Sequence, residues 1–314
     1  MRRNFHLICL SVLVLSAISC GGGAAGSGAN NGGGNGSPRP ETPSAIQHVA
    51  IVVFENQNYL DVIGSNAMPY LNDRIQANSL ATEFYANLHP SIGNYFMMTT
   101  GQVVNTDDNF TGTFVGDNVA SALNAAGKTW KAYAESLPTV GYVDGDQYPY
   151  IKHHNPFAYF GNVRNDSSQQ DNIVPLPQLV SDINTKALPN YLFVVPNNLH
   201  NGHDCPSGGS SCTLFDRLNA ADTWLRVNLG PLLSDSEFAN DGVLIVTFDE
   251  SATDNTKGGG RVATVFVGAR VKSGFQSSVT YQFPSLLRFT LKTLGVTTYP
   301  GLAAQADDMD EFLN

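Results

Sequence analysis

The stretch His48-Val49-Ala50-Ile51-Val52-Val53-Phe54-Glu55-Asn56 sets the fold class. From His48 to Phe54 it is a continuous apolar, β-branched run, the pattern of a strand buried on both faces in a parallel sheet. The run then stops on a carboxylate and an amide. Two others end alike: Val243–Phe248 passes into Asp249-Glu250, and Tyr191–Val195 passes into Pro196-Asn197-Asn198-Leu199-His200-Asn201-Gly202-His203-Asp204. Ligands of open α/β sheets bind beyond the carboxyl ends of the strands, so polar groups gathering there mark where chemistry would be assembled. A fourth cluster, His89-Pro90-Ser91-Ile92-Gly93-Asn94-Tyr95, adds a hydroxyl beside an imidazole and an amide. This is the pattern of an enzyme.

Between these runs the period turns helical. Pro69–Leu80 has helical spacing at Leu71, Ile75 and, less cleanly, Leu80, and Asn94–Thr100 predicts a helix that opens just after Ser91 and stops at Gly101. Val119–Ala126 reads as a helix ending at Gly127, followed by a strand over Thr129–Ala134. Leu176–Ile183 and Leu214–Leu229 read as helices, Val262–Val267 as a strand, and Pro284–Leu294 as a closing helix ending at Gly295. Strands alternating with helices imply an α/β three-layer sandwich with a mostly parallel central sheet.

Of the 314 residues, the first 40 or so carry little folding information, which leaves about 270 for one large domain over 46–314. Formal net charge is −10 and the basic residues are scattered singly, so a polyanion is repelled and nucleic acid is set aside as a partner. A small phosphate ester stays open, because a bound divalent cation reverses the local sign. Arg2 and Arg3 precede the apolar stretch Leu7–Ile18, and small residues lead to Cys20, which reads as a signal peptide over 1–20. Ala17-Ile18-Ser19-Cys20 is similar to a bacterial lipobox, so Cys20 is the expected lipid anchor of an exported, periplasmic or cell-envelope protein; an ordinary secreted protein is the alternative. Residues 21–45 are almost entirely Gly, Asn, Ala, Ser and Pro and read as a tether that cannot bury enough apolar surface to fold. Cys205 and Cys212, in a Pro-Gly-Ser-rich loop, suit a small disulfide; free thiols or two metal ligands are the alternatives.

Glu55-Asn56 and Asp249-Glu250 each make half of an oxygen-rich site for a hard divalent cation, although either pair alone is more often an ordinary polar strand end. Ser91 precedes a helix whose positive end favours an alkoxide or a bound anion; the plain alternative is a serine that caps the helix. A metal bound through the same oxygen would lower its pKa and make it a nucleophile toward phosphorus. His153 is expected to be a solvated loop histidine.

These segments, with His153-His154-Asn155-Pro156-Phe157 and Gly258-Gly259-Gly260-Arg261-Val262 following in order, resemble the phosphoesterase family that joins acid phosphatases with phospholipase C enzymes, itself similar in fold to the alkaline phosphatase superfamily. The resemblance runs from about His48 to Leu294, essentially the whole folded part. It implies that Glu55, Asn56, Ser91, Asp249 and Glu250 hold one divalent metal and that Ser91 is the nucleophile forming a phosphoserine. It implies further that Asn94 donates its amide to a phosphate oxygen. His154, His203 and Asp204 are then candidates for phosphate contacts or for protonating the leaving alcohol. His200 is a weaker candidate.

The sequence also departs from the family pattern. Gly93 stands where Pro is common, Asn201-Gly202 replaces an Asp-Met pair, and Arg261 and Phe283 stand where relatives place histidines. These departures bear on a second metal site rather than the first; Arg261 would either clamp phosphate or cover a strand end. The resulting expectation is a metal-dependent acid phosphatase-type phosphomonoesterase. A phospholipase C-like phosphodiesterase is the alternative, and a lipoprotein that binds metal or phosphate without turnover is a third reading.

Overall fold

The computed structural model describes residues 46–314. The expected signal peptide, Cys20 anchor and tether lie outside the described residues. The strands are β1 (His48–Phe54), β2 (Ser79–Ala81), β3 (Phe84–Tyr85), β4 (Trp130–Ala134), β5 (Ile173–Pro175), β6 (Tyr191–Val195), β7 (Gly242–Phe248), β8 (Thr264–Val267), β9 (Phe275–Ser277) and β10 (Tyr281–Gln282). Eight of them form one sheet in the order β5-β4-β6-β1-β7-β8-β2-β9, and β3 pairs with β10 apart from it. Among the sheet's strands only β8 runs against the others. The mostly parallel α/β sheet is therefore as expected, with β1 at its centre and every residue from His48 to Phe54 buried.

The pleat of β1 sends alternate residues to opposite faces. Ile51 pairs with Phe193 of β6, whose ring meets Tyr95 at 6.3 Å in the helix Ser91–Thr100. Phe54, three residues on, faces the other side and packs its ring edge-on against Trp224 at 5.8 Å in the helix Leu214–Ser234. Helices thus cover both faces, which is why the inner strands read as unbroken apolar runs.

Several bounds differ from the sequence reading. The expected helix over Pro69–Leu80 ends at Ala77, and Leu80 belongs instead to β2. The helix expected to open just after Ser91 begins on Ser91 itself, with Pro90 at the cap position, so Ser91 is not a capping serine. The long helix continues to Ser234 through Pro231. Cys205 and Cys212 form a disulfide.

Candidate active site

The register of the two central strands builds the site. Phe54 pairs with Phe248, and the Asp249 amide donates to the Phe54 carbonyl at 2.9 Å, so Glu55 and Asp249 leave the sheet side by side. Both continue the parity of Ile51 and Ile245, the face covered by the helix Ser91–Thr100. Asn56 then takes a left-handed backbone (φ 42°), a conformation asparagine tolerates better than most residues, and its amide N–H donates to Asp249 Oδ1 at 2.9 Å. The strand end is thereby turned so that carboxylate and amide face one spot.

Ser91 and Tyr95 descend on that spot from the helix. Ser91 Oγ donates to Glu55 Oε2 at 3.1 Å, and the Tyr95 hydroxyl donates to Glu55 Oε1. His154 stacks on the Tyr95 ring and brings Nε2 to 3.4 Å from Glu55 Oε1. On the open side, Asn56 Nδ2 donates to His203 Nδ1 at 3.2 Å. A small cleft of about 190 Å³ runs between them, lined by Ser91, Glu55, Asn56, His154, His203 and Asp204.

Three carboxyls share this buried corner, and each is driven toward its neutral form. Burial pushes Glu55 up to about 8 against the relief of its Tyr95, Asp249 and Ser91 contacts. Burial and the Glu55 charge push Asp249 well above the carboxylate range. Burial and the Asp249 charge lift Glu250 to about 8, with His89 Nδ1 at 3.1 Å from its Oε2 as partial compensation. Burial also holds His154 well below the ordinary imidazole range, so that it is a neutral ring.

That arrangement is costly as it stands and suits a cation. Asn56 Oδ1 and Asp249 Oδ2 are buried and accept no hydrogen bond, an omission that demands an explanation in a folded interior. Two orphaned oxygens beside crowded carboxyls and a serine hydroxyl form the hard-donor set of a divalent metal, whose charge would reverse the local pKa logic. Among the described residues no three His, Cys, Asp or Glu side chains form a ready cage; the donor set mixes carboxylates with an amide and a hydroxyl. The residues present therefore fit the group.

Other expected residues are placed differently. Asn94 is fully buried and absent from the cleft lining. Its Oδ1 accepts from the amides of Asn87 and Leu88 at 3.0 and 3.2 Å, and its Nδ2 donates to the Leu88 carbonyl at 2.7 Å and to Glu250 at 3.4 Å. The expected phosphate donor is thus spent as a brace for the loop that leads into Ser91. Arg261 stacks over Tyr59 at 3.8 Å and bonds Thr82 and Glu83; it covers a strand end and does not reach the cleft. His200 turns away to Glu135 at 3.0 Å.

Some residues at the site went unassigned in the sequence. His153, expected to be solvated, lines the cleft, and burial lowers its pKa. Asp108 lines it too and caps the Ile92 amide at 3.0 Å. Asn201 stands at the usual aspartate position, and its Oδ1 accepts from the His203 and Asp204 amides, both at 2.9 Å, fixing that wall. Tyr95 closes the same His89–Tyr95 cluster, yet nothing local announces its bond to Glu55. Only the helical offset of four residues from Ser91 would have placed it on the same face.

The model described as Phosphoesterase family matches residues 57–297. The chain is 30% identical over 229 residues to the phosphatidylinositol-3-phosphatase of Mycobacterium tuberculosis, covering 72% of this chain and 70% of that protein. It is 28% identical over 248 residues to an acid phosphatase of Aspergillus fumigatus, covering 75% of this chain, and spans 52% of that relative's length. Among solved structures, a protein of the alkaline phosphatase superfamily from Vibrio parahaemolyticus superposes with a TM-score of 0.57 at 16% identity, over 82% of this chain and 68% of that one. A lipoteichoic acid synthase of Listeria monocytogenes superposes with a TM-score of 0.58 at 12% identity, over 80% and 72%. At those identities the likeness carries the fold alone, as expected from the sequence. With the family match spanning most of the chain, the protein belongs to the phosphoesterase family and is a hydrolase of phosphoric ester bonds.

Proposed function

We propose that the chain is a metal-dependent, acid phosphatase-type phosphomonoesterase that works through a phosphoserine at Ser91 and is exported to the cell envelope, anchored at Cys20. One observation carries the reading: the Ser91 hydroxyl opens a helix and hydrogen-bonds Glu55 at the spot where Asn56 Oδ1 and Asp249 Oδ2 are left without partners. A divalent cation held by Glu55, Asn56, Ser91, Asp249 and Glu250 would supply positive charge to the serine oxygen and to the phosphate. Ser91 Oγ attacks phosphorus as the ester P–O bond breaks, and its proton leaves along the hydrogen bond it already donates to Glu55 Oε2, which accepts it as the carboxylate. The helix end behind Ser91 favours the charge that gathers on the phosphate. His203, exposed at the rim with Asp204 at 3.9 Å, is placed to give the leaving alcohol its proton. Water then cleaves the phosphoserine.

A cleft of about 190 Å³ suits one phosphate with a single ester arm better than a diester. The M. tuberculosis and fungal relatives carry names of monoester phosphatases. The test compares full-length wild type with Ser91→Ala on phenyl phosphate and on diphenyl phosphate. Wild type should turn over the monoester and lose that activity in the variant and on chelation. Preferential diester cleavage would favour the phosphodiesterase reading, phosphate binding without turnover would favour a binding lipoprotein, and an active Ser91→Ala protein would remove the mechanism.

A further inference from the structure

Beside the catalytic cleft lies a second opening of about 380 Å³, within the size range of small-molecule sites. The two share Asp108 as a wall. They also share a turn, since Lys152–His154 is one short helical segment that lends His153 and His154 to the catalytic cleft and Lys152 to its neighbour.

Lys152 is the unusual residue. It is only 7% exposed, and its ammonium lies 4.4 Å over the Tyr159 ring with no hydrogen bond or ion pair among the described residues. Its backbone N–H, not its side chain, is what Asp146 Oδ1 accepts at 2.8 Å. The stem is buried while the ammonium itself, not among the buried unpartnered atoms, reaches the opening, so its three donors are free to meet a ligand's acceptors there. Arg164 does not compete for that role: its Nη1 donates to the carbonyls of Val143 and Ala158 at 2.6 and 2.8 Å, which fixes the rim segment.

The other groups facing Lys152 decide the ligand's charge. Asp108, Asp144 and Asp146 present acceptors, and Asn109 presents an amide. A second anionic group would meet three carboxylates, and a cation would meet Lys152 and Arg164. Neutral hydroxyls satisfy both sets, because each one donates to a carboxylate and accepts from an ammonium. We propose that this side cleft is a polyol subsite, so that the substrate is a phosphomonoester of a hydroxyl-rich alcohol such as a sugar, its phosphate at Ser91 and its hydroxyls between Lys152 and Asp144. The proposal rests on the phosphomonoesterase reading of Ser91 and adds the class of alcohol.

Calorimetric binding to the full-length Ser91→Ala protein tests it without turnover, with glucose 6-phosphate, phenyl phosphate and inorganic phosphate as probes. Glucose 6-phosphate should bind about tenfold more tightly than the other two, the value of one hydrogen bond to a charged group. Adding Lys152→Met or Asp144→Asn should erase that preference while inorganic phosphate binding stays within about twofold. Asp144 is exposed, so its substitution keeps the test valid if the buried lysine variant does not fold. Phosphate binding without a sugar preference, or a preference that survives Asp144→Asn, overturns the subsite alone. Binding of none of the three probes overturns the phosphatase reading and the subsite with it.

Discussion

On the metal-dependent reading, raising the pH of the chelated protein should destabilise it, and Glu55→Gln should suppress much of the effect. Glu55 is 2% exposed, and burial moves it from an ordinary 4.5 to about 8. Between those two values the folded chain keeps a proton that the unfolded chain has released, so stability falls as pH rises; it is intact below the lower value and stops falling above the upper one. Going from about pH 5 to about pH 9 therefore costs about 4 kcal/mol from Glu55 alone, at 1.36 kcal/mol per pH unit over roughly three units. Asp249 and Glu250 add to it, and since the Glu55 charge raises Asp249, a neutral glutamine at position 55 relieves more than its own share. The assay is the thermal unfolding midpoint of chelated wild type and Glu55→Gln across that range, repeated with a divalent cation added back. Wild type should lose roughly 10 °C with rising pH and the variant less than half of that. Cation at about one hundred times its Kd should return about 2.7 kcal/mol to wild type and little to the variant. A flat profile for the chelated wild type, or one that Glu55→Gln leaves unchanged, would refute the argument that these carboxyls are held together for a cation.

Two structural predictions follow from the supports of the site. Gly258 has φ +110° and a Cβ there would sit 2.0 Å from the Asn87 carbonyl oxygen, so Gly258→Ala should cost about 3 kcal/mol and displace the Asn87-Leu88 segment that grips Asn94. A variant with the wild-type midpoint and full activity would show that the loop yields freely. Cys205 and Cys212 are seven residues apart and close the chain just beyond Asp204, so Cys212→Ser should lower stability by about 2–3 kcal/mol on loop-entropy grounds. It should also raise KM more than it lowers kcat; a selective fall in kcat would mean that the loop positions a reacting group.

The strand ends were legible because a parallel strand buried on both faces must be apolar throughout, so the point where Glu55 or Asp249 interrupts it is visible in one dimension. The strands β2, β3, β5, β9 and β10 were not, since two or three residues are too few to show a period. Leu80 was misread for that reason: five residues after Ile75 and only loosely spaced for the preceding helix, it pairs instead with Val265 of β8. Asn94 illustrates a different limit. Its residue type suits a phosphate donor, but helical geometry turns it into the loop behind Ser91, where two backbone amides and a carbonyl claim it.

The sequence by itself determined that this is an α/β sheet protein whose apolar strands end in oxygen-rich groups, because both features are local consequences of burial and chain polarity. Tertiary structure decided which of those groups meet. Asn56 and Asp249 are 193 residues apart, and only the parallel register of β1 with β7 sets them 2.9 Å from one another. It also decided their protonation: desolvation and the nearness of like charge belong to the surroundings, so carboxyls that are ordinary along the chain become a crowded, partly unsatisfied corner.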